Sequence, residues 1–243
     1  ILEGQPEPPL YFSRMKRENK EGPAILGALP DPTEINAEEL ASLAGRTDIA
    51  VIDTRIDKLA FMAGHLAGSL YAPLDKTFPT VAGSYVEEGT PIYLIVEPQD
   101  LQEAGRDLVR IGLDEIVGYA TVDSLSAAGD AVGLRTTEVA DFGRLFQLAE
   151  SGDVRILDVR RQVEFEAGHL PGAQNIAHTR LLARADESEP GTRLGVHCAS
   201  GIRAAVASAL LERLGHDVVY VNDLVSKALE AARHAGRPAA AST

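Results

Sequence analysis

The chain repeats part of its own sequence once, and this internal repeat constrains the fold more than any other feature. Residues 51–55 (VIDTR) are echoed by residues 156–160 (ILDVR), and residues 63–69 (AGHLAGS) are echoed by residues 167–173 (AGHLPGA). Self-similarity at a spacing of about one domain indicates two units with the same fold. In each half, apolar strand-like runs alternate with helix-like runs, which predicts a mostly parallel sheet flanked by helices on both faces. The predicted fold class is therefore α/β, with two tandem domains.

The only cysteine of the 243 residues, Cys198, lies where a strand-like run, 192–197, passes into a helix-like run, 204–214. Backbone N–H groups at a helix N-terminus attract anions and favour the thiolate, which is the nucleophilic form of cysteine. Gly201 permits a sharp bend, and Arg203 adds a permanent cation. A lone cysteine is often only a small buried residue, but this combination favours a nucleophile, so we predict Cys198 and Arg203 as catalytic residues. We expect the rest of the loop to contact the substrate: Ala199, Ser200, Gly201 and Ile202.

Other charged and aromatic side chains near this loop have competing interpretations. Asp158 and Arg160 follow the repeated strand and could bind substrate or orient the loop, although an Asp–Arg pair at a strand end is more often structural. His169 lies in the repeated Gly-His-Leu segment, and His65 is its counterpart in the first half. Because the half without the cysteine also has this histidine, a packing or hydrogen-bonding role is favoured. His197 alternates to the opposite face of its strand, so we do not expect it to act as a base.

The two halves differ at the position of the cysteine loop. The first half reads LIVEPQDL over residues 94–101, without a cysteine or an arginine and apparently with a shorter turn. Glu97 and Asp100 would repel the anions that the second loop attracts. We therefore expect the first half to be catalytically silent.

The chain contains three motifs: Asp-x-Arg and Gly-His-Leu-x-Gly in each half, and Cys-x-x-Gly-x-Arg in the second half alone. They resemble the signatures of the rhodanese sulfurtransferases. The resemblance implies two tandem rhodanese-like domains, an inactive one over residues 33–125 and an active one over residues 132–235, divided near the small-residue stretch 126–131. It also implies that Cys198 takes a sulfane sulfur from thiosulfate or a low-molecular-weight persulfide such as glutathione persulfide, and passes it to a thiol or cyanide.

Two alternatives remain open at this stage. The chain could be a non-catalytic binding or scaffold module with an inert Cys198. It could also be a cysteine-based phosphatase, although the related loop of the tyrosine and dual-specificity phosphatases has its arginine one residue later, where this chain has Ala204.

The first 32 residues point to a longer polypeptide. The words GQPEPP and YFSRMK resemble the segment that ends the metallo-β-lactamase-like domain in bacterial fusions of that domain with rhodanese repeats. The resemblance implies that residues 1–32 are a connector, that the missing domain would hold mononuclear iron or zinc, and that the protein acts in sulfide or persulfide metabolism. The start at Ile1 rather than Met fits a piece of a longer chain. We expect residues 236–243 to form a disordered tail.

Composition limits the partners. A formal charge of −13 argues against nucleic acid or an anionic membrane surface as a partner. One cysteine excludes an internal disulfide and fits a reducing, cytoplasmic compartment. The six histidines lack metal-binding spacing, so we expect no cofactor in this chain. The expected partners are small sulfur donors, thiol acceptors and the covalently attached domain; a homodimer is compatible with this interpretation.

Overall fold

The computed structural model of the chain describes residues 9, 11–22, 27–187 and 191–234. Contacts divide it into an N-terminal unit, Pro8–Thr136, and a C-terminal unit that begins at Thr137. This division lies later than the boundary that we expected at residues 126–131, because that stretch is helical and Ala128 is buried in the core of the N-terminal unit. The backbone of Arg135 also exchanges hydrogen bonds of 3.0 and 2.9 Å with that of His65, which keeps the chain in this unit beyond the helix.

The N-terminal unit contains a five-stranded sheet in the order β1-β5-β4-β2-β3, with every neighbouring pair parallel. Its elements in chain order are α1 (Tyr11–Glu21), β1 (Thr33–Glu34), α2 (Ala37–Ser42), β2 (Ala50–Asp53), α3 (Lys58–Ala63), β3 (Leu70–Tyr71), α4 (Phe78–Tyr85), β4 (Ile92–Ile95), α5 (Leu101–Arg110), β5 (Ile116–Ala120) and α6 (Val122–Val132).

The C-terminal unit contains a second five-stranded parallel sheet, in the order β6-β10-β9-β7-β8. Its elements are β6 (Glu138–Ala140), α7 (Phe142–Glu150), β7 (Arg155–Asp158), α8 (Gln162–Glu166), β8 (Gln174–Asn175), two 3₁₀ segments (His178–Arg180 and Leu182–Glu187), β9 (Arg193–His197), α9 (Ile202–Arg213), β10 (Asp217–Val221) and α10 (Val225–His234). The two strand orders are the same when counted from the start of each unit. The predicted α/β class with two parallel sheets flanked by helices is confirmed.

Local sequence explains where several helices begin. The side chain of Asn36 accepts the amides of Glu38 and Glu39, while Glu39 bonds back to the amide of Asn36, so a complete capping box starts α2. Thr121 and Asp141 cap α6 and α7 with their side-chain oxygens. The centre of each sheet is apolar: β2 and β4 in one unit, and β7 and β9 in the other, carry the buried aliphatic residues expected of parallel strands covered on both faces.

The two ends of the chain were expected to be a connector, over residues 1–32, and a disordered tail, over residues 236–243. Within the segment that we expected to be a connector, residues 11–21 form α1, which packs on the N-terminal unit: Tyr11 contacts Gly83 and the guanidinium of buried Arg14 lies over Gly112. The tail expected over residues 236–243 lies outside the described residues. None of the helices that the structure describes is both long enough and apolar enough to cross a membrane.

Candidate active site

Cys198 is the first residue after β9, at the carboxyl end of a central strand of the C-terminal unit. This edge of a parallel sheet is where ligands bind in open α/β folds. The residue is 2% exposed, and its sulfur accepts a hydrogen bond from the Gly201 amide at 3.2 Å. The thiol therefore lies at the bottom of a turn that closes over it before α9 begins.

Gly201 begins α9 in a left-handed conformation, with φ of +89°. A Cβ at this position would lie 2.7 Å from Tyr220 Oη and 2.8 Å from Asn222 Oδ1, so glycine is required by both the backbone angle and the space. Tyr220 Oη donates to Asn222 Oδ1 at 3.1 Å. The loop is also held by the amide of Val225, which donates to the carbonyl of Ala199 at 3.1 Å.

The remaining loop residues, which we expected to contact substrate, differ in exposure. Ser200 and Ile202 are exposed, Ala199 is half-buried, and Gly201 is buried. Ser200 and Ile202 thus form an accessible rim, while Cys198 and Gly201 lie beneath it. The residues after Arg203 face inward: residues 204–211 of α9 are all buried, and their alanines allow the helix to pack closely.

Arg203, the predicted cation of the site, forms a bidentate pair with Glu164. Its Nη1 donates to Oε2 at 2.6 Å and its Nη2 to Oε1 at 2.8 Å. These bonds raise the pKa of Arg203 above its usual value, and the charge of Cys198 acts in the same direction. The hydrogen bonds from Arg203 lower the pKa of Glu164 to about 2, assisted by Arg161, whose Nε lies 3.2 Å from Oε2. Glu164 was not predicted from the sequence.

His178 is a second residue near the site that the sequence did not indicate. It begins the 3₁₀ segment after β8, and its Nδ1 is buried without a hydrogen-bond partner among the described residues. Burial, the largest cause, and the charge of Arg203 together lower the pKa of His178 to about 4, while the charge of Glu164 acts in the opposite direction. The imidazole is therefore neutral at physiological pH.

Asp158, the last residue of β7, and Arg160 form a buried ion pair. Both are buried, at 0% and 5% exposure. Arg160 gives Nε and Nη2 to the carboxylate of Asp158 at 2.6–3.0 Å and bonds the carbonyl of Gly168 at 2.8 Å. The N-terminal unit builds the same pair from Asp53 and Arg55. This geometry favours support of the strand end, the interpretation that the sequence already favoured for an Asp–Arg pair, and contact of Asp158 and Arg160 with substrate stays a prediction.

The histidines beside the strands are also enclosed. His197 is fully buried, with Nε2 3.8 Å from Asp158 Oδ2 and its ring edge-on to Phe142, and burial lowers its pKa. His169 stacks on Phe165 and its Nδ1 lies 3.0 Å from the Phe165 carbonyl. The same stacking and the same 3.0 Å contact join His65 to Phe61 in the other unit, so the geometry supports a packing role.

The N-terminal unit has no equivalent of the cysteine loop. Sheet register pairs Asp53 with Ile95 and Asp158 with His197, which places Val96 at the position of Cys198. The turn spans residues 96–100, against 198–201 in the C-terminal unit, so our expectation of a shorter turn was wrong. A cavity of about 360 Å³ opens here, and its charged lining is Arg55, Glu97, Asp100 and Glu103. Three carboxylates make this a poor anion site.

No group of three or more histidine, cysteine, aspartate or glutamate side chains could hold a metal ion within the residues that the structure describes.

Comparison with known proteins places this geometry in a family. The profile of the rhodanese-like domain matches residues 143–225, which lie in the C-terminal unit. The thiosulfate sulfurtransferase GlpE of Shewanella oneidensis is 32% identical over 80 residues, covering 33% of this chain and 79% of GlpE. An HTH-type transcriptional regulator of Mycobacterium tuberculosis is 29% identical over 147 residues, covering 58% of this chain and 62% of the regulator.

Among solved structures, a rhodanese-related protein of Thermoplasma volcanium is 25% identical, with a TM-score of 0.38. The alignment covers 43% of this chain and 99% of the Thermoplasma chain. This chain spans only 62% and 52% of the first two curated relatives that it matches. The match to most of GlpE, together with the profile match over the cysteine loop, shows that the chain belongs to the rhodanese-like family.

Proposed function

We propose that the C-terminal unit is a sulfurtransferase that carries a sulfane sulfur on Cys198. The observation that supports this best is the loop itself: the Cys198 sulfur accepts the Gly201 amide and lies beside Arg203 at the start of α9. Such surroundings stabilise negative charge on sulfur. Membership of a family that includes a thiosulfate sulfurtransferase supports the same reaction class.

The proposed reaction has two half-reactions with one covalent intermediate. The Cys198 thiolate attacks the outer sulfur of the donor; the donor S–S bond breaks, and sulfite leaves from thiosulfate or a thiolate leaves from a persulfide. The new Cys198 persulfide then loses its outer sulfur to a thiolate or cyanide, and the Cys198 thiolate is regenerated. Each step exchanges one sulfur–sulfur bond for another bond to the same sulfur, so no external oxidant or reductant is needed.

Two groups of this chain would stabilise the charge that moves during the reaction. The Gly201 amide donates to the sulfur at 3.2 Å, and Arg203 supplies a fixed cation whose electrostatic interaction with Cys198 contributes to its raised pKa. Because Cys198 is 2% exposed, the donor must present its outer sulfur end-on to the loop. Small donors such as thiosulfate and glutathione persulfide meet this requirement.

The wider setting is also a proposal. We propose that the N-terminal unit is a rhodanese-like domain without catalysis, because Val96 replaces the nucleophile. The sequence resemblance supports a longer polypeptide with a metallo-β-lactamase-like domain that would hold iron or zinc, and a role in sulfide or persulfide metabolism. A cytoplasmic location and a homodimer are compatible with this proposal.

The first test is detection of the intermediate. After incubation with thiosulfate or glutathione persulfide, mass spectrometry should find one added sulfur, about 32 Da, on the peptide that contains Cys198. Cys198→Ser should carry no added sulfur and transfer none to cyanide, while its unfolding profile stays close to that of the wild type, because a serine oxygen can still accept the Gly201 amide. Turnover retained in this variant would contradict the assignment of the nucleophile.

One observation favours a second candidate, a non-catalytic binding module: the near-complete enclosure of Cys198. The same measurement separates the two functions. If neither donor adds sulfur to the wild-type protein, the binding module is the better explanation.

A further inference from the structure

We infer that Glu164 sets the donor preference of this site: its carboxylate disfavours doubly charged donors such as thiosulfate and leaves singly charged persulfide ends as the preferred substrates. This inference rests on the proposed function, because it concerns which donor reaches Cys198. It assigns a specificity-determining role to a residue that touches the cation of the site.

The first observation is the contact itself. Both carboxylate oxygens of Glu164 accept hydrogen bonds from the guanidinium of Arg203, one at 2.6 Å and one at 2.8 Å. This is the bidentate geometry that a guanidinium would otherwise offer to a substrate oxyanion. A donor that needs this face of Arg203 has to compete with a carboxylate already bound there.

The second observation is the charge balance around Arg203. Glu164 is held as a carboxylate by Arg203 and also by Arg161, whose Nε lies 3.2 Å away. Its pKa of about 2 keeps it ionised at any working pH. Asp158 and Arg160 neutralise each other beneath the loop. These five groups therefore sum to one positive charge, which the Cys198 thiolate of the proposed reaction cancels, so the site has no surplus charge to offset a dianion.

The third observation comes from the N-terminal unit, which has no counterpart of the cysteine loop. Counting from Asp53 places Leu59 opposite Glu164, and counting from His65 places Ala60 there; neither carries a charge. The carboxylate is thus present in the unit that has Cys198 and Arg203, and absent from the unit that lacks them. The Asp–Arg pair, by contrast, occurs in both units. This pattern links Glu164 to the reaction rather than to the fold.

The two donors differ in charge at the reacting end. Thiosulfate carries two negative charges within a few atoms of the sulfur that is transferred. A glutathione persulfide carries one on its terminal sulfur, and its carboxylates are remote from it. A fixed carboxylate beside Arg203 therefore acts more strongly against thiosulfate. Since the side chains of Glu164 and Arg203 are 26% and 25% exposed, solvent weakens this effect without removing it.

The test compares kcat/KM for the two donors, with cyanide as acceptor, in the wild type and in Glu164→Gln. We expect kcat/KM for thiosulfate to rise about tenfold, the size of one partly screened charge at this range, and kcat/KM for glutathione persulfide to change much less. Added salt should reduce the difference. Glu166→Gln is the matched control, because Glu166 is exposed on the same helix and bonds Gln162; it should leave both values unchanged.

A second variant separates charge from contact. Glu164→Asp keeps the negative charge on a shorter side chain and should keep the discrimination against thiosulfate. The inference is overturned if Glu164→Gln lowers both values in equal proportion, if the donor ratio is unchanged, or if Glu164→Asp behaves like Glu164→Gln. Absence of added sulfur on wild-type Cys198 with either donor would instead refute the proposed function, and this result is distinct from an unchanged ratio.

Discussion

At the scale of single residues, His178 is the group whose environment has the clearest consequence for stability. Burial and the charge of Arg203 hold its pKa at about 4 in the folded chain, against a usual value of 6.5. Between these two values the unfolded chain binds a proton that the folded chain does not. Folding stability must therefore fall as the pH falls from 6.5 to 4. Glu164, whose pKa is lowered from 4.5 to about 2 by Arg203, adds a slope of the same sign at the acid end of this range, because its carboxylate takes up a proton first in the unfolded chain.

We predict that the C-terminal unit loses at most about 3 kcal/mol of stability over this range through His178, and that His178→Gln removes most of that loss. Hydrogen exchange of the β9 amides at pH 7 and pH 4.5 would measure it in the unit concerned. Burial also lowers the pKa of His197, so some slope should persist in the variant. An equal pH dependence in variant and wild type would contradict the prediction.

The residues of the site differ in how far sequence alone could indicate them. Cys198 and Arg203 lie in one short motif, and the structure places them together in one loop. Glu164 lies 39 residues from Arg203, and only folding brings α8 and α9 together. One signal could have found it: Glu164 has no counterpart in the first repeat. Asp158 and Arg160, by contrast, do have counterparts in the first repeat, which agrees with the structural role that the sequence favoured for them.

At the scale of secondary structure, the turn between β9 and α9 depends on a single glycine. Gly201 has a positive φ, and it is packed against Tyr220 and Asn222. Gly172 also has a positive φ, +75°, but nothing lies within 4 Å of a Cβ built there. A substitution at Gly172 therefore tests backbone strain alone, whereas one at Gly201 tests backbone strain and steric overlap together.

We predict that Gly172→Ala costs about 1 kcal/mol from backbone strain alone, whereas Gly201→Ala costs about 3 kcal/mol because overpacking adds to that strain. Gly201→Ala should also abolish sulfur transfer, since the turn around Cys198 has to move. Chemical denaturation of both variants and the cyanide assay would check this. Equal costs for the two substitutions would show that the contacts at Gly201 are unimportant.

The alternation of apolar strand-like runs with helix-like runs predicted the strands and the parallel sheets well, because buried parallel strands need continuous aliphatic runs. It failed at α6. Residues 126–131 are small and were interpreted as a boundary, but alanine is also the best helix former. Leu125 and Ala128 bury one face of this helix in the core. Tertiary packing, which the local sequence does not show, decided between the two outcomes.

At the scale of the whole molecule, the two units share a strand order and a buried Asp–Arg pair but not a nucleophile. Removal of one partner from such a pair leaves an uncompensated charge in the interior. We predict that Asp53→Asn destabilises the N-terminal unit by about 3 kcal/mol, because Arg55 is 16% exposed and loses its partner. The cyanide assay should give an unchanged rate, since Asp53 belongs to the unit that does not contain the cysteine loop. A rate that falls with stability intact would argue against a purely structural pair.

The repeat in the sequence therefore predicted the number of units and their class, and the single cysteine motif marked the unit in which the candidate site lies. It could not predict the point of division, because that depends on backbone hydrogen bonds between Arg135 and His65. Such bonds leave no pattern in side-chain composition.

The turn of the N-terminal unit bears on whether a cysteine loop could be built into it. Oε1 of Glu97, the residue after Val96, accepts the amide of Val122 at the start of α6. A transplanted cysteine loop would remove this carboxylate and detach the turn from that helix, in a unit that also lacks a counterpart of Glu164. Building a second copy of the candidate site would thus require several simultaneous changes, and single substitutions along the way would weaken this unit before the site was complete.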